Sequence, residues 1–293
     1  MKLGIGLPNT MAQEADRRLM LEWARLADEA GFSVLATIDR PNYDSWDPLV
    51  TLAAVAGVTE RAKLATTILQ LPPRNEVLVA KQAAVVDRVS AGRLILGVAQ
   101  GGRQDDFDVF DAAFAGRSER LERQVARIRE VWDEARKSDR DHGVLGPAPL
   151  QEPSPPLWVG ALQPKAIQRA LRIGDGFLFG TAGSAVMAEY APQLREQAAA
   201  LGKPDHTIAG LAYVGVGDDP KRALEDATHH VVRYYEQLWT DPANLIHHGP
   251  AEKIAQEISE YEAAGLDYLI VFPEIPSLDQ VEKLAEGVLP AYR

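Results

Sequence analysis

The 293-residue sequence predicts a (β/α)8 TIM barrel, α/β in class, and three observations predict it. Strand-like and helix-like segments alternate along the chain, and eight strands can be counted, each followed by helix. Parallel strands need such helical crossovers. The early strands empty into polar or glycine-rich loops, and strand carboxyl ends are where α/β proteins place ligands. The length suits one such barrel, with no Ser/Gly linker or low-complexity tract, so one domain over 1–293 is expected.

Taken in order, residues 2 to 7 form the first strand and run into Pro8-Asn9-Thr10. Residues 14 to 30 are helical, with Leu19, Trp23, Leu26, Ala27 and Ala30 on one face and Gly31 as a C-terminal stop. The second strand, 33 to 38, runs into Asp39-Arg40-Pro41-Asn42, and 48 to 58 is helix. The third, 64 to 71, runs into Pro72-Pro73-Arg74-Asn75, and 77 to 89 is helix. The fourth, 94 to 98, runs into Ala99-Gln100-Gly101-Gly102-Arg103. Helix 118 to 137 is the clearest, with Leu121, Val125, Ile128 and Trp132 at helical spacing. Residues 138 to 154 are polar and Pro/Gly-rich, hence a loop. The fifth strand is 157 to 160, and Pro164 opens a helix that Gly174 closes. The sixth strand, 177 to 179, meets Gly180-Thr181-Ala182-Gly183-Ser184 before helix 185 to 201. Strand 208 to 216 and helix 221 to 239 follow, then an irregular piece around 241 to 249. Pro250 starts a helix that presents Ile254, Ile258 and Tyr261 and ends at Gly265. The last strand is 268 to 272 and the last helix 278 to 288.

The competing architecture is an open doubly wound sheet. A dinucleotide-binding version would want Gly-x-Gly-x-x-Gly after its first strand. Gly4-Ile5-Gly6-Leu7-Pro8-Asn9 lacks the third glycine, and Pro8 stands where a phosphate-facing amide would be needed.

Composition narrows the function. A hydrophobic share of 46% supports a sizeable core, and a net charge of -11 disfavours a nucleic-acid partner. The absence of cysteine excludes disulfides and thiolate chemistry. Histidines at 142, 206, 229, 230, 247 and 248 lack His-x-x-x-His and His-Glu-x-x-His spacing, so no metal site is expected. No apolar stretch reaches membrane-spanning length and the amino terminus enters a strand directly, so a cytoplasmic protein without a membrane partner is expected.

The loops hold the candidates. In Asp39-Arg40 the aspartate can orient the arginine or accept a substrate proton, and the arginine can hold an anion in a fixed fork. An ordinary loop-capping ion pair is the commoner outcome for such a pair. Thr66-Thr67-Ile68-Leu69-Gln70 reads as barrel wall. Gly160-Ala161 and Gly180-Thr181 allow close backbone approach, and exposed amides at helix starts bind phosphate. Turn-forming glycine explains either loop alone; their placement on one rim strengthens the phosphate reading. Asp105-Asp106 could bind a metal or act as a base, but more often such a pair is a solvated acid cluster at a helix start. His229 and His230, adjacent on a helix, point roughly 100° apart and read as packing or surface residues. His247 and His248 stay unassigned.

Several segments resemble the luciferase-like monooxygenase family, flavin- and deazaflavin-dependent (β/α)8 oxidoreductases. The most specific are Ala80-Lys81-Gln82-Ala83-Ala84 and Asp87-Arg88-Val89-Ser90-Ala91-Gly92-Arg93-Leu94-Ile95-Leu96-Gly97-Val98. Pro156-Leu157-Trp158-Val159-Gly160, Ile173-Gly174-Asp175-Gly176-Phe177 and Ala264-Gly265-Leu266-Asp267-Tyr268-Leu269-Ile270 resemble later strand blocks. The resemblance implies a barrel of the bacterial luciferase-like type with its cofactor ring at the mouth. It places Thr67 and Ile68 behind the ring, joined by a non-prolyl cis peptide. It places Gln100 and Gly101 beside the ring, and Gly160, Ala161, Gly180 and Thr181 on the phosphate side. Many members carry Asp-His where this chain has Asp39-Arg40, so Arg40 is expected to clamp an anion instead of shuttling protons.

The implied function is a flavin-dependent oxidoreductase or monooxygenase acting on a small organic substrate at the C-terminal mouth, with Asp39 and Arg40 as catalytic candidates. FMN is the expected cofactor, because the anionic tail of F420 would favour a more basic rim than Arg40, Arg74, Arg103 and Lys165 provide. An F420-dependent hydride-transfer enzyme, a catalytically silent flavin-binding homologue, and a barrel enzyme of unrelated phosphate-sugar chemistry are the alternatives. The expected partners are the substrate, a separate flavin reductase and further copies of the chain in a homo-oligomer.

Overall fold

The computed structural model describes residues 1–138, 145–161, 163–236 and 238–293. In chain order the first half holds β1 (Lys2–Gly6), α1 (Arg17–Ala30), β2 (Val34–Thr37), α2 (Pro48–Ala56), β3 (Lys63–Thr66) and β4 (Leu69–Gln70). Then come α3 (Glu76–Val89), β5 (Leu94–Ala99), α4 (Gln104–Asp108) and α5 (Arg117–Lys137). The second half holds β6 (Leu157–Gly160), α6 (Pro164–Ile173), β7 (Gly176–Leu178), α7 (Ser184–Ala200), β8 (Thr207–Val216) and α8 (Pro220–Tyr235). It ends with α9 (Pro242–Leu245), β9 (Ile246–Gly249), α10 (Ala251–Ala263), β10 (Tyr268–Pro273), α11 (Leu278–Gly287) and a 3-10 turn.

Eight parallel strands run β10-β1-β2-β3-β5-β6-β7-β8, and pairing of β8 with β10 closes the ring. This is the expected (β/α)8 barrel, with helices outside. The third expected strand is divided. β3 stops at Thr66 and β4 resumes at Leu69 to pair with Val98 of β5. The Thr67–Ile68 peptide between them is cis, as the resemblance implied. The segment expected to be irregular at 241 to 249 contains α9 and β9. β7 leaves the edge of β8 after Ala209, and β9 takes that edge at Tyr213–Val216.

Local chemistry sets the helix starts. Asp16, Asp47, Asn75 and Asp219 accept from the Leu19, Val50, Leu78 and Lys221 amides respectively, satisfying donors that have no intrahelical partner. Asp16 is why α1 begins at Arg17, later than the apolar pattern alone implied. Strand side chains alternate between the barrel interior and the helix layer. Val34, Ala65, Ile95, Trp158, Leu178 and Ile270 pack in the interior cluster, while Leu3, Ile5, Leu64 and Leu96 pack toward the helices. The glycines of Gly4-Ile5-Gly6 serve this packing: a Cβ at Gly6 would overlap the Phe272 ring.

The most specific sequence block is a set of staples. Asp87 accepts from the Leu150 amide at 2.7 Å and from the Gln151 side-chain amide at 2.7 Å. Arg93 donates to the Ala62 and Thr59 carbonyls at 2.6 and 2.7 Å. Asp175 and Asp267 accept from amides at the starts of β6 and β8, Leu157 at 2.9 Å and Ile208 at 2.7 Å. The expected loop over 138 to 154 and His142 lie partly and wholly, respectively, outside the described residues. Among the described residues, no helix is long and apolar enough to cross a membrane.

Candidate active site

Two adjoining cavities, of about 320 and 640 Å³, open at the carboxyl ends of the strands. Both lie in the size range of small-ligand sites. Thr67, Ile68, Gly102, Gly180 and Leu211 line both and form the seam between them.

The first cavity is a largely apolar slot between the ends of β5, β6 and β7. Ala99, Val159, Leu178 and Phe179 contribute walls, with Gln100 and Gly101 on one side. A Cβ at Gly160 would stand 3.1 Å from Ile68 Cγ2, so glycine keeps the slot open against the seam. The slot ends at Gln163, Ala166 and Arg169 of the α6 start. No side chain caps the first amides of α6, which leaves donors there. Arg169 Nε is held by Glu122 at 2.8 Å and its Nη1 reaches Gln100 Oε1 at 3.4 Å.

The second cavity is polar at its base and aromatic at its side. Asp39 is buried, and its carboxylate accepts from the Gln70 amide at 2.8 Å and from Arg74 Nη2 at 2.9 and 3.1 Å. Burial pushes Asp39 up to about 6 despite the Arg74 guanidinium. Gln70 continues to Asp106 at 2.9 Å, and Asp106 accepts from the Asn42 amide at 3.0 Å. Asn42 Nδ2 reaches Asp105 at 3.0 Å. The expectation of a solvated acid pair is thus corrected for Asp106, which is buried because Gln70 and Asn42 satisfy it.

Arg40 is 1% exposed and stacked between Tyr43 and Tyr234, its guanidinium carbon 5.3 and 5.4 Å from their ring centres. Its Nη2 meets Glu236 at 2.9 Å and Asp105 at 3.6 Å. Nη2 belongs to both two-donor edges of a guanidinium, so the free fork expected from the sequence is already engaged. Nε and Nη1 are buried and have no hydrogen-bond partner among the described residues. Tyr213 of β8 and Tyr235 of α8 share a hydroxyl hydrogen bond of 2.7 Å, and Trp239 packs 4.9 Å from the Tyr235 ring. Burial pushes the pKa of both tyrosines up and keeps their hydroxyls protonated.

The structure brings Thr67, Ile68, Gln100, Gly101, Gly160, Ala161 and Gly180 to the first cavity, and Asp39 and Arg40 to the second. Thr181 is divided from Gly160: it lines the second cavity, with Ala182. His247 is occupied by Glu257 and Tyr261 at 2.8 and 2.9 Å. His230 is buried, and its Nε2 shares a hydrogen bond with Thr10 Oγ1. Among the described residues, no three His, Asp or Glu side chains are grouped to hold a metal. Sequence reasoning missed Arg169, Tyr213, Tyr234, Tyr235 and Trp239. Their only linear signals were an arginine one turn into a Pro-started helix and an aromatic run closing α8.

The profile of the luciferase-like monooxygenase family matches residues 1–270. A 171-residue stretch, 53% of the chain, is 28% identical to the oxygenase component of flavin-dependent trigonelline monooxygenase from Acinetobacter baylyi, covering 46% of that protein. The chain spans about half the length of the curated relatives it matches. Its fold superimposes on monooxygenase RslO1 from Streptomyces bottropensis with a TM-score of 0.84 at 22% identity, over 100% of both chains. It also superimposes on an F420-dependent secondary alcohol dehydrogenase with a TM-score of 0.80 at 21% identity, again over 100% of both. With the profile spanning most of the barrel, the chain belongs to the luciferase-like monooxygenase family.

Proposed function

We propose that the chain is a flavin-dependent oxidoreductase of the monooxygenase type, with FMN in the first cavity and a small organic substrate in the second. The observation that carries this reading is the continuity of an apolar slot with a polar, aromatic chamber across the Ile68–Leu211 seam. The residues fit FMN. Ala99, Val159 and Leu178 offer a ring apolar walls, Gly160 leaves it room against Ile68, and Arg169 with the uncapped α6 amides suits one phosphate.

Bound reduced flavin would supply the electrons for oxygen or hydride chemistry. The chain's own residues do the rest. Apolar walls exclude water, the buried Arg40 cation in the chamber wall favours an electronegative edge of the substrate, and the Tyr213–Tyr235 hydroxyls face a substrate oxygen. Asp39 holds Arg74 and the Gln70 backbone, and so positions the loops that carry Arg40 and Asp106. Arg169 is the one cation lining the first cavity among the described residues, and Glu122 pairs with both it and Arg172. That balance favours the single phosphate of FMN over the longer anionic tail of F420. The relative named as an oxygenase component supports a separate flavin reductase as partner.

Absorbance and fluorescence titrations with FMN and, separately, F420 test the reading. Saturable FMN binding is expected, with turnover once reduced flavin, oxygen and a substrate panel are supplied. Binding of neither cofactor would remove the proposal; FMN binding without turnover on a broad panel would favour a silent homologue. Arg40→Ala is expected to raise KM for the substrate; unchanged kinetics would leave Arg40 only its loop-stapling contacts.

A further inference from the structure

Behind the tyrosine wall lies a third, small cavity of about 10 Å³, at the threshold for one water. Tyr213, Tyr234 and Tyr235 line both it and the second cavity, so with Ile38 these rings form the partition. On its far side are Glu274, just beyond β10, His230 of α8, and Thr10 of the loop after β1. Glu274 is 4% exposed and His230 is 6% exposed. Glu274 Oε2 lies 3.5 Å from His230 Nε2, and that nitrogen shares a 3.2 Å hydrogen bond with Thr10 Oγ1. No cation salt-bridges Glu274 within the described residues, and a buried carboxyl without one is held as the neutral acid.

We propose that Glu274 and His230 form the proton store of the active site, emptied into the second cavity through the Tyr213–Tyr235 hydroxyl pair. This rests on the functional reading above. In the step, an oxygen of the bound substrate gains a proton from one tyrosine hydroxyl, which regains one from its hydrogen-bonded partner. That partner is refilled by a water in the small cavity, which gives it one proton as it takes the Glu274 proton. Glu274 Oε–H breaks, one O–H forms on substrate, and Glu274 is left as carboxylate beside His230. A proton from solvent, passing by His230, restores the acid; no electrons move. The arrangement supplies what Arg40 cannot, since a guanidinium does not release protons near neutral pH.

The protonation states agree with this geometry. Burial lifts Glu274 well above the ordinary carboxylate range. Burial, then Arg233 and His229 on the same helix, lower His230 to about 4. The other groups facing the pair are Thr10 from the β1 loop, Tyr213 from β8, and Tyr234 and Tyr235 from α8. The neutral pair therefore carries its proton on Glu274 at neutral pH.

Infrared spectroscopy of the protein alone near pH 7 tests the store. Wild type should show the carbonyl stretch of a protonated carboxyl, shifted in heavy water and missing in Glu274→Gln. The FMN-loaded enzyme tests delivery. Glu274→Gln and Tyr235→Phe should each slow the proton-requiring step on the order of 10²-fold and change its pH profile and solvent isotope effect. Tyr235→Phe should keep the infrared band. If FMN binds but wild type lacks the band, or both variants keep wild-type profiles, this proposal falls and the functional reading stands. If neither FMN nor F420 binds, both fall.

Discussion

The first cavity is walled by Ala99, Val159, Leu178 and Leu211 and holds one titratable side chain, Arg169, among the described residues. The second carries Asp39, Arg40, Arg103, Asp106 and three tyrosines. The two share a seam yet pose opposite physical problems. An apolar slot needs shape, because dispersion and water exclusion depend on fit. A buried polar chamber needs partners, because each charge taken from water must be compensated. The second cavity answers with a chain of contacts from Arg74 through Asp39, Gln70, Asp106, Asn42 and Asp105 to Arg40 and Glu236. That chain ties the loops after β2, β4 and β5 to the end of α8.

The largest expected effect would break the slot by filling it. Gly160→Val places branched carbon against Ile68 and should abolish saturable FMN binding while leaving the fold intact, as read by circular dichroism. Tight binding in that variant would move the cofactor elsewhere.

A smaller change separates the slot's end from its walls. Arg169→Ala should weaken FMN by roughly 10- to 100-fold, the usual worth of a charge-assisted hydrogen bond. Riboflavin, which lacks the phosphate, should bind both forms alike. Equal losses for the two ligands would place Arg169 against the ring.

Titration sharpens the contrast further. With Asp39 lifted to about 6, the second cavity's function should rise with pH through that value, as the ionised carboxylate engages Arg74. Asp39→Asn should flatten this limb by several-fold or less. Stability runs the other way. The folded pKa lies above the unfolded value of 3.8, so the neutral form's contribution is complete below that value and is lost as pH rises through about 6. The loss amounts to about 3 kcal/mol at most. Wild type should therefore lose stability relative to Asp39→Asn over that span in urea titrations. Riboflavin affinity, governed by the slot, should stay flat; an inflection near 6 would show that the cavities are coupled.

The smallest effect is at Thr181. Because it lines the chamber and not the slot, Thr181→Val should change FMN affinity by less than the ~1 kcal/mol of one neutral hydrogen bond. A larger loss would return Thr181 to the phosphate.

Much of the barrel was legible because local rules and tertiary needs agree in it. Alternating strands and helices, the stop at Gly31 and the Pro-started α6 all follow from periodicity and backbone chemistry. The resemblance reached the Thr67–Ile68 cis bond and the glycines of the slot. It also drew the eye to Asp87 and Arg93, which staple loops far from either cavity. A conspicuous motif in this chain marks a structural demand as readily as a chemical one.

By itself the sequence determined the (β/α)8 register, the order of the strands, and the rim on which the glycine-rich and Asp-Arg loops gather. Those properties depend on neighbours in the chain. Only the tertiary structure decided that Thr181 faces the chamber, that Glu236 engages Arg40, that β9 takes the edge β7 vacates, and that Glu274 and His230 lie behind Tyr213 and Tyr235. Each of these joins residues from separate βα units, and closure of the β8–β10 seam is what sets them side by side.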